Sequence, residues 1–125
     1  MEFTKTNQLA GDTHSYSISP EIKEYTLIDL GFEKTNRGNY KYSGSLDRHN
    51  PFKPYARLKI TVASDLSGFK MDTVNSNGFS KIDIFKGPRK DELTTQLRFI
   101  LDEMVQRGIF TENWVFLSAK LLTFC

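Results

Sequence analysis

Leu93, Leu97, Ile100, Leu101, Met104 and Val105 recur at the spacing that gathers apolar residues on one side of an α-helix. The punctuation around that stripe agrees with it. Gly87-Pro88 supplies a start, since proline is tolerated in a first helical turn, where its missing N–H would have no partner. Asp91 and Glu92 sit early and Arg107 late, which complements the helix dipole, and Gly108 can take the left-handed stop. The pattern predicts one long helix from about Pro88 to Arg107.

Elsewhere the period falls to two. Ala56-Arg57-Leu58-Lys59-Ile60-Thr61-Val62 alternates cleanly, with residues 56, 58, 60 and 62 inward, as a half-solvated strand does. Its expected partner begins at Phe69, across a loop containing Asp65 and Gly68. Phe69 to Val74 and Phe79 to Phe85 flank Asn75-Ser76-Asn77-Gly78 and predict a hairpin. A two-residue Asn77-Gly78 turn sets Asp72 against Asp83, and like charges directly opposed destabilise a strand pair. A four-residue loop pairs Val74 with Phe79, Asp72 with Lys81 and Lys70 with Asp83, so the longer loop is expected. A second hairpin is expected around Asn36-Arg37-Gly38. Its three-residue loop sets Thr35 opposite Asn39, Glu33 opposite Lys41 and Phe32 opposite Tyr42, with Gly38 at positive φ.

The remaining segments are less regular. Ser19-Pro20-Glu21 before Ile22, Tyr25, Ile28 and Leu30-Gly31 predicts a short capped helix, although Tyr25-Thr26-Leu27-Ile28 is β-prone. The stretch from Ser43 to Pro54 reads as a long surface loop, because Pro51 and Pro54 disfavour helix and central strand alike. The tail from Trp114 to Leu122 fits a buried strand or a short helix.

These elements amount to a single α+β domain over residues 1–125, with antiparallel hairpins packed on one long helix. A chain of 125 residues with 38% hydrophobic and 26% charged positions can bury a core without disulfides or metal. Cys125, the lone cysteine, excludes an internal disulfide and suits a reducing compartment; it is expected to be exposed. The first residues, Met1-Glu2-Phe3-Thr4-Lys5, lack the apolar core of a secretory signal, and no apolar run approaches the ~20 residues that span a bilayer. A cytoplasmic protein with no membrane partner is expected.

No motif names a chemistry. His14 and His49 lie far apart, outside any ligand spacing, and each is expected on the surface or in a loop. No Gly-x-Ser-x-Gly elbow, phosphate loop or dinucleotide fingerprint is present, so no catalytic residue, metal or cofactor is assigned. Charge asymmetry is the feature left over. From Lys34 to Ser64 seven cations (Lys34, Arg37, Lys41, Arg48, Lys53, Arg57 and Lys59) face the single acid Asp47, a net +6 in a chain whose total is +2. Tyr40, Tyr42, Phe52 and Tyr55 are interleaved with them. The plain explanation is solubility and the blunting of sheet edges. The functional one is an anion site in which Tyr55, Arg57, Lys59 and Thr61 share an outward strand face and Arg48 and His49 fold over them. Nucleic acid ranks last, because the overall charge is modest and no recognised binding module is present.

The run Tyr16-Ser17-Ile18-Ser19-Pro20-Glu21-Ile22-Lys23-Glu24-Tyr25-Thr26-Leu27-Ile28-Asp29-Leu30-Gly31-Phe32, with Thr35 and Gly38-Asn39-Tyr40, resembles a small family from lactic acid bacteria that is tied by description to amino-acid metabolism. The similarity extends over nearly the whole chain, including Leu46-Asp47 and the C-terminal helix. It implies an α+β fold of two antiparallel β-sheets packed against one long helix, and a ligand-binding role drawn from a remote fold likeness to S-adenosylmethionine decarboxylases. Those enzymes cleave themselves at a Glu-Ser bond, and this chain has no Glu-Ser dipeptide. Only the fold carries over. The expectation is a small-molecule-binding protein for an anionic or zwitterionic ligand in amino-acid metabolism, with sulfur-amino-acid metabolism as one candidate branch. The alternative is a non-catalytic adaptor whose partner is a metabolic enzyme, docking through Trp114-Val115-Phe116-Leu117.

Overall fold

The computed structural model describes residues 3–9, 12, 14–47, 55–75, 80–87 and 89–114. In chain order the elements are β1 (Thr6–Asn7), β2 (His14–Ile18), α1 (Glu24–Asp29), β3 (Glu33–Lys34), β4 (Tyr40–Ser45), β5 (Arg57–Val62), β6 (Phe69–Val74), α2 (Lys90–Gln106) and β7 (Phe110–Trp114). Hydrogen bonding groups the strands into two antiparallel sheets, β1-β2-β7 and β3-β4-β5-β6. With α2 as the long helix, the fold is α+β.

The apolar stripe explains where α2 sits. Leu93, Leu97, Ile100, Leu101 and Met104 are its buried residues. They join one cluster with Tyr16 and Phe110 from the first sheet and Leu58, Ile60, Phe69 and Met71 from the second. Truncating a leucine in such a cluster leaves a void, at a cost of about 2–5 kcal/mol. In β5, Leu58, Ile60 and Val62 are buried while Arg57, Lys59 and Thr61 between them stay half-exposed. The turn at Asn36–Gly38 forms as local rules dictate: Glu33 faces Lys41, Thr35 N–H bonds Asn39 O at 2.7 Å, and Gly38 has φ +88°.

Several expectations shift. After β6, Val74 pairs with Lys81, Asn75 N–H bonds Ser80 O, and Ile82 N–H bonds Thr73 O. This is the register that charge opposition disfavoured. The segment does not continue as a strand to Phe85, so Asp72 and Asp83 never stand opposed. Asp83 folds back instead, its Oδ1 accepting from Phe85 N–H at 2.8 Å, and Lys81 Nζ reaches Asp72 diagonally at 3.3 Å. Residues 76–79 lie outside the described residues.

The short helix begins at Glu24 rather than at Ser19. Ser19 Oγ accepts from Glu21 N–H at 3.1 Å, which closes a turn, and no side chain caps the helix at Lys23. Ser43-Gly44-Ser45 belongs to β4, paired with Lys59, Leu58 and Arg57, so the long loop starts later than expected. Glycine suits that strand position, since a Cβ at Gly44 would meet the Tyr42 ring at 2.8 Å. At the other end, β7 occupies residues 110–114, and the tail beyond Trp114 lies outside the described residues.

A short seam joins the sheets. Thr4 and Phe69 exchange backbone hydrogen bonds of 3.2 and 2.9 Å, and Asn7 Nδ2 donates to Phe69 O at 2.7 Å. Gly68 permits this approach, because a Cβ there would lie 3.1 Å from the Thr4 backbone nitrogen and oxygen.

Candidate functional site

Residues paired across neighbouring strands lie side by side on one face, so register decides which charges meet. On the outer face of the four-stranded sheet three rows result. They are Ser45, Arg57 and Val74; Ser43, Lys59 and Asp72; and Lys41, Thr61 and Lys70. Beside the third row stands the β3–β4 turn, held by Asn39 Oδ1 accepting from Ser64 N–H at 3.0 Å. Between turn and sheet lies an open hollow of about 390 Å³ that brings Arg37, Lys41 and Lys70 together with Thr35 and Thr61. Among the described residues no carboxylate lines it, and Glu33 faces Lys41 from just outside. Lys70 rests on the Phe3 ring, Nζ 4.7 Å from its centroid. Three cations beside hydroxyl groups form a patch of positive potential suited to a carboxylate or phosphate.

The residues singled out from sequence are distributed as follows. Arg48 and His49 lie outside the described residues. Arg57 and Lys59 share the outer face, in the two rows away from the hollow. Arg57 Nε is buried and has no hydrogen-bond partner among the described residues, and Val74 beside it is 5% exposed, so this end of the face is less open than the end at the hollow. Tyr55 precedes β5. Its N–H bonds Asp47 Oδ2 at 3.1 Å, and its ring faces the Arg89 guanidinium at 5.4 Å. Arg89 also grips Asp47 through bonds of 3.2 and 2.8 Å and pairs with Glu92, and hydrogen bonds to these carboxylates raise its pKa above the ordinary value. Tyr55 is thereby tied to the start of α2. Lys70 was missed by the sequence because it falls outside residues 34–64; only the β5–β6 register brings it to Lys41.

A second hollow, about 380 Å³, opens where Asp12 and Phe85 approach the first turns of α2. Asp91, Thr94, Thr95 and Arg98 line it, and their i, i+3, i+4, i+7 spacing makes them one helical face. Behind that face is a buried polar network. The Asp12 side chain is 1% exposed, and its Oδ1 accepts from His14 N–H at 3.1 Å and from the Arg98 guanidinium. Arg98 donates to the Tyr16 hydroxyl at 2.8 Å, and His14 Nδ1 meets Glu112. His14, expected on the surface or in a loop, is instead 9% exposed within β2, where its ring faces inward beside Tyr16.

Burial pushes the Tyr16 phenol up to about 12. For Arg98, burial opposes the charge, but the hydrogen bond to Asp12 and attraction to Tyr16 and Asp12 outweigh it and raise the pKa. Both groups are therefore fixed as phenol and guanidinium at neutral pH. Such groups position and bind; they are far from the poised pKa that proton transfer needs. Among the described residues no group of three or more His, Cys, Asp or Glu is placed to hold a metal ion. No helix there is long and apolar enough to cross a membrane.

Comparison with known proteins agrees with this architecture. A DUF1831 family protein from Lactobacillus plantarum, known from a crystal structure, is 44% identical, with a TM-score of 0.84 over 90% of this chain and 99% of that chain. No curated protein matches the chain. The model of the DUF1831 family, described as "Putative amino acid metabolism", matches residues 1–111. By that match and that identity, the chain belongs to the DUF1831 family.

Proposed function

We propose that the protein binds a small ligand bearing a carboxylate or phosphate on the outer face of the four-stranded sheet, in amino-acid metabolism. Sulfur-containing amino acids and their derivatives are the favoured class. The observation that carries this reading is the convergence of Arg37, Lys41 and Lys70 on one hollow that no described carboxylate lines. Arg37 offers the planar fork that pairs two parallel bonds with such anions, and the lysines act as point charges beside it. Thr61, between the lysines in the row, supplies a hydroxyl at the floor. Lys59, in the row next to the hollow, extends the positive face. The family description supports the link to amino acids. The adaptor reading rested on Trp114-Val115-Phe116-Leu117, whose side chains lie outside the described residues, and no specific observation favours it.

A thermal-shift panel of inorganic phosphate, cysteine, methionine, methylthioadenosine and S-adenosylmethionine tests the proposal. A ligand at a hundred times its Kd stabilises the native state by about 2.7 kcal/mol. The expected result is a raised midpoint for at least one of them, reduced by high salt and lost in the Lys41→Ala/Lys70→Ala double variant. An equal shift in both proteins, or none in either, overturns the reading.

A further inference from the structure

The hollow beside α2 differs from the sheet-face hollow in its chemistry, and it carries its own conclusion. Two acids, Asp12 and Asp91, and two cations, Lys90 and Arg98, line it together with the Phe85 ring. Its lining charge is balanced, so an ion of either sign alone gains little there. A molecule carrying both signs meets a partner for each.

Asp12 shows which end goes where. Its Oδ1 is taken by His14 N–H and Arg98, whereas Oδ2 is buried and, among the described residues, accepts no hydrogen bond. A buried carboxylate oxygen left without a donor is an unfavourable arrangement that native proteins rarely keep without a reason. The terminal torsion of aspartate is soft, so a modest turn of the carboxylate presents Oδ2 to a donor seated in the hollow. The fitting donor is an ammonium, because a charged N–H gives a carboxylate its strongest hydrogen bonds. The Arg98 charge is already matched by Asp12, and its guanidinium also donates to Tyr16, so a ligand anion gains less from Arg98 than from a cation not held in that network. Lys90, exposed in the first turn of α2, is the remaining cation on the lining. Phe85 supplies an apolar wall on the same lining.

We infer that this hollow binds a small zwitterion of the free α-amino acid class, its ammonium held by Asp12 Oδ2 and its carboxylate by Lys90. The ligand side chain lies along Phe85. A volume of about 380 Å³ is sufficient for one amino acid and leaves room for a bridging water. This conclusion is independent of the anion site on the sheet, and the two can fail separately.

The test is a backbone-amide NMR titration of the full chain. The probes are methionine and phenylalanine, together with amine and carboxylic acid analogues that each keep only one charged end. The expected result is saturable movement of the Thr94, Thr95 and Arg98 amides with an intact amino acid, and at least tenfold weaker response to either half. Lys90→Ala leaves the Asp12–Arg98–Tyr16 network untouched and should weaken binding about tenfold. Asp12→Asn should abolish it; if that variant is poorly folded, Lys90→Ala and the half-ligands still decide. Lys41→Ala should leave these shifts unchanged. Movement confined to Thr35 and Thr61, an equal response to the half-ligands, or no saturation with any amino acid overturns the inference.

Discussion

The two hollows enclose similar volumes, about 390 and 380 Å³, yet they are built in opposite ways. On the sheet face the cations are exposed or half-exposed, Lys41 and Lys70 on strands whose inner faces do the packing and Arg37 in the adjoining turn, and among the described residues no acid lines their hollow. Beside α2 the charges are balanced and partly buried, and the same side chains that line the hollow also join the helix to β2. A solvated charge costs the fold almost nothing, so the first hollow can be altered without disturbing the protein. A buried charge persists only with its partner, so the second is part of the architecture.

That contrast is tested most severely at Arg98. Arg98→Ala leaves Asp12 as a buried carboxylate without its counter-ion and should cost about 3 kcal/mol in urea unfolding. A loss no larger than that of a sheet-face lysine would remove the distinction. Gly68→Ala probes the seam between the two sheets. The new methyl group presses on the Thr4 backbone, and a cost of about 2 kcal/mol is expected from overpacking, read from the thermal midpoint.

Tyr16 sharpens the comparison through pH. Its phenol keeps its proton up to about 12 in the fold against an ordinary 10.0, so the protonated form is the one the fold favours. The resulting stabilisation is complete below pH 10 and is lost as pH rises through 12. Tyr16→Phe should cost about 1 kcal/mol at neutral pH and flatten that alkaline decline, as measured by unfolding across the window. Smallest of all, Lys41→Ala should change stability by less than about 0.5 kcal/mol while weakening phosphate binding on the sheet face.

Legibility in the sequence follows the same division. The α2 stripe, the alternation of Arg57 to Val62 and the turn at Gly38 were readable because each depends on residues within a few positions of one another. The first sheet was not. His14-Ser15-Tyr16-Ser17-Ile18 is too polar to announce a strand, and its partner is Phe110–Trp114 at the far end of the chain. Charge opposition misled at Asp72 and Asp83 because it assumed two full strands, and the second ends almost as soon as it begins. The basic patch was visible as a run of cations, but its hollow depends on Lys70, which only pairing register can supply. The hollow beside α2 left one local trace, the polar stripe Asp91, Thr94, Thr95 and Arg98 next to the apolar one. Asp12, its other half, lies 86 residues from Arg98.

Strand order has a further consequence for how the molecule is made. β3, β4, β5 and β6 pair each with the next, so this sheet can form while the chain is still emerging. β2 must wait for β7, His14 for Trp114 and Ile18 for Phe110. During synthesis Tyr16 and Asp12 therefore remain without Arg98 until the whole of α2 has followed. The hollow beside the helix is therefore completed later than the basic face of the four-stranded sheet.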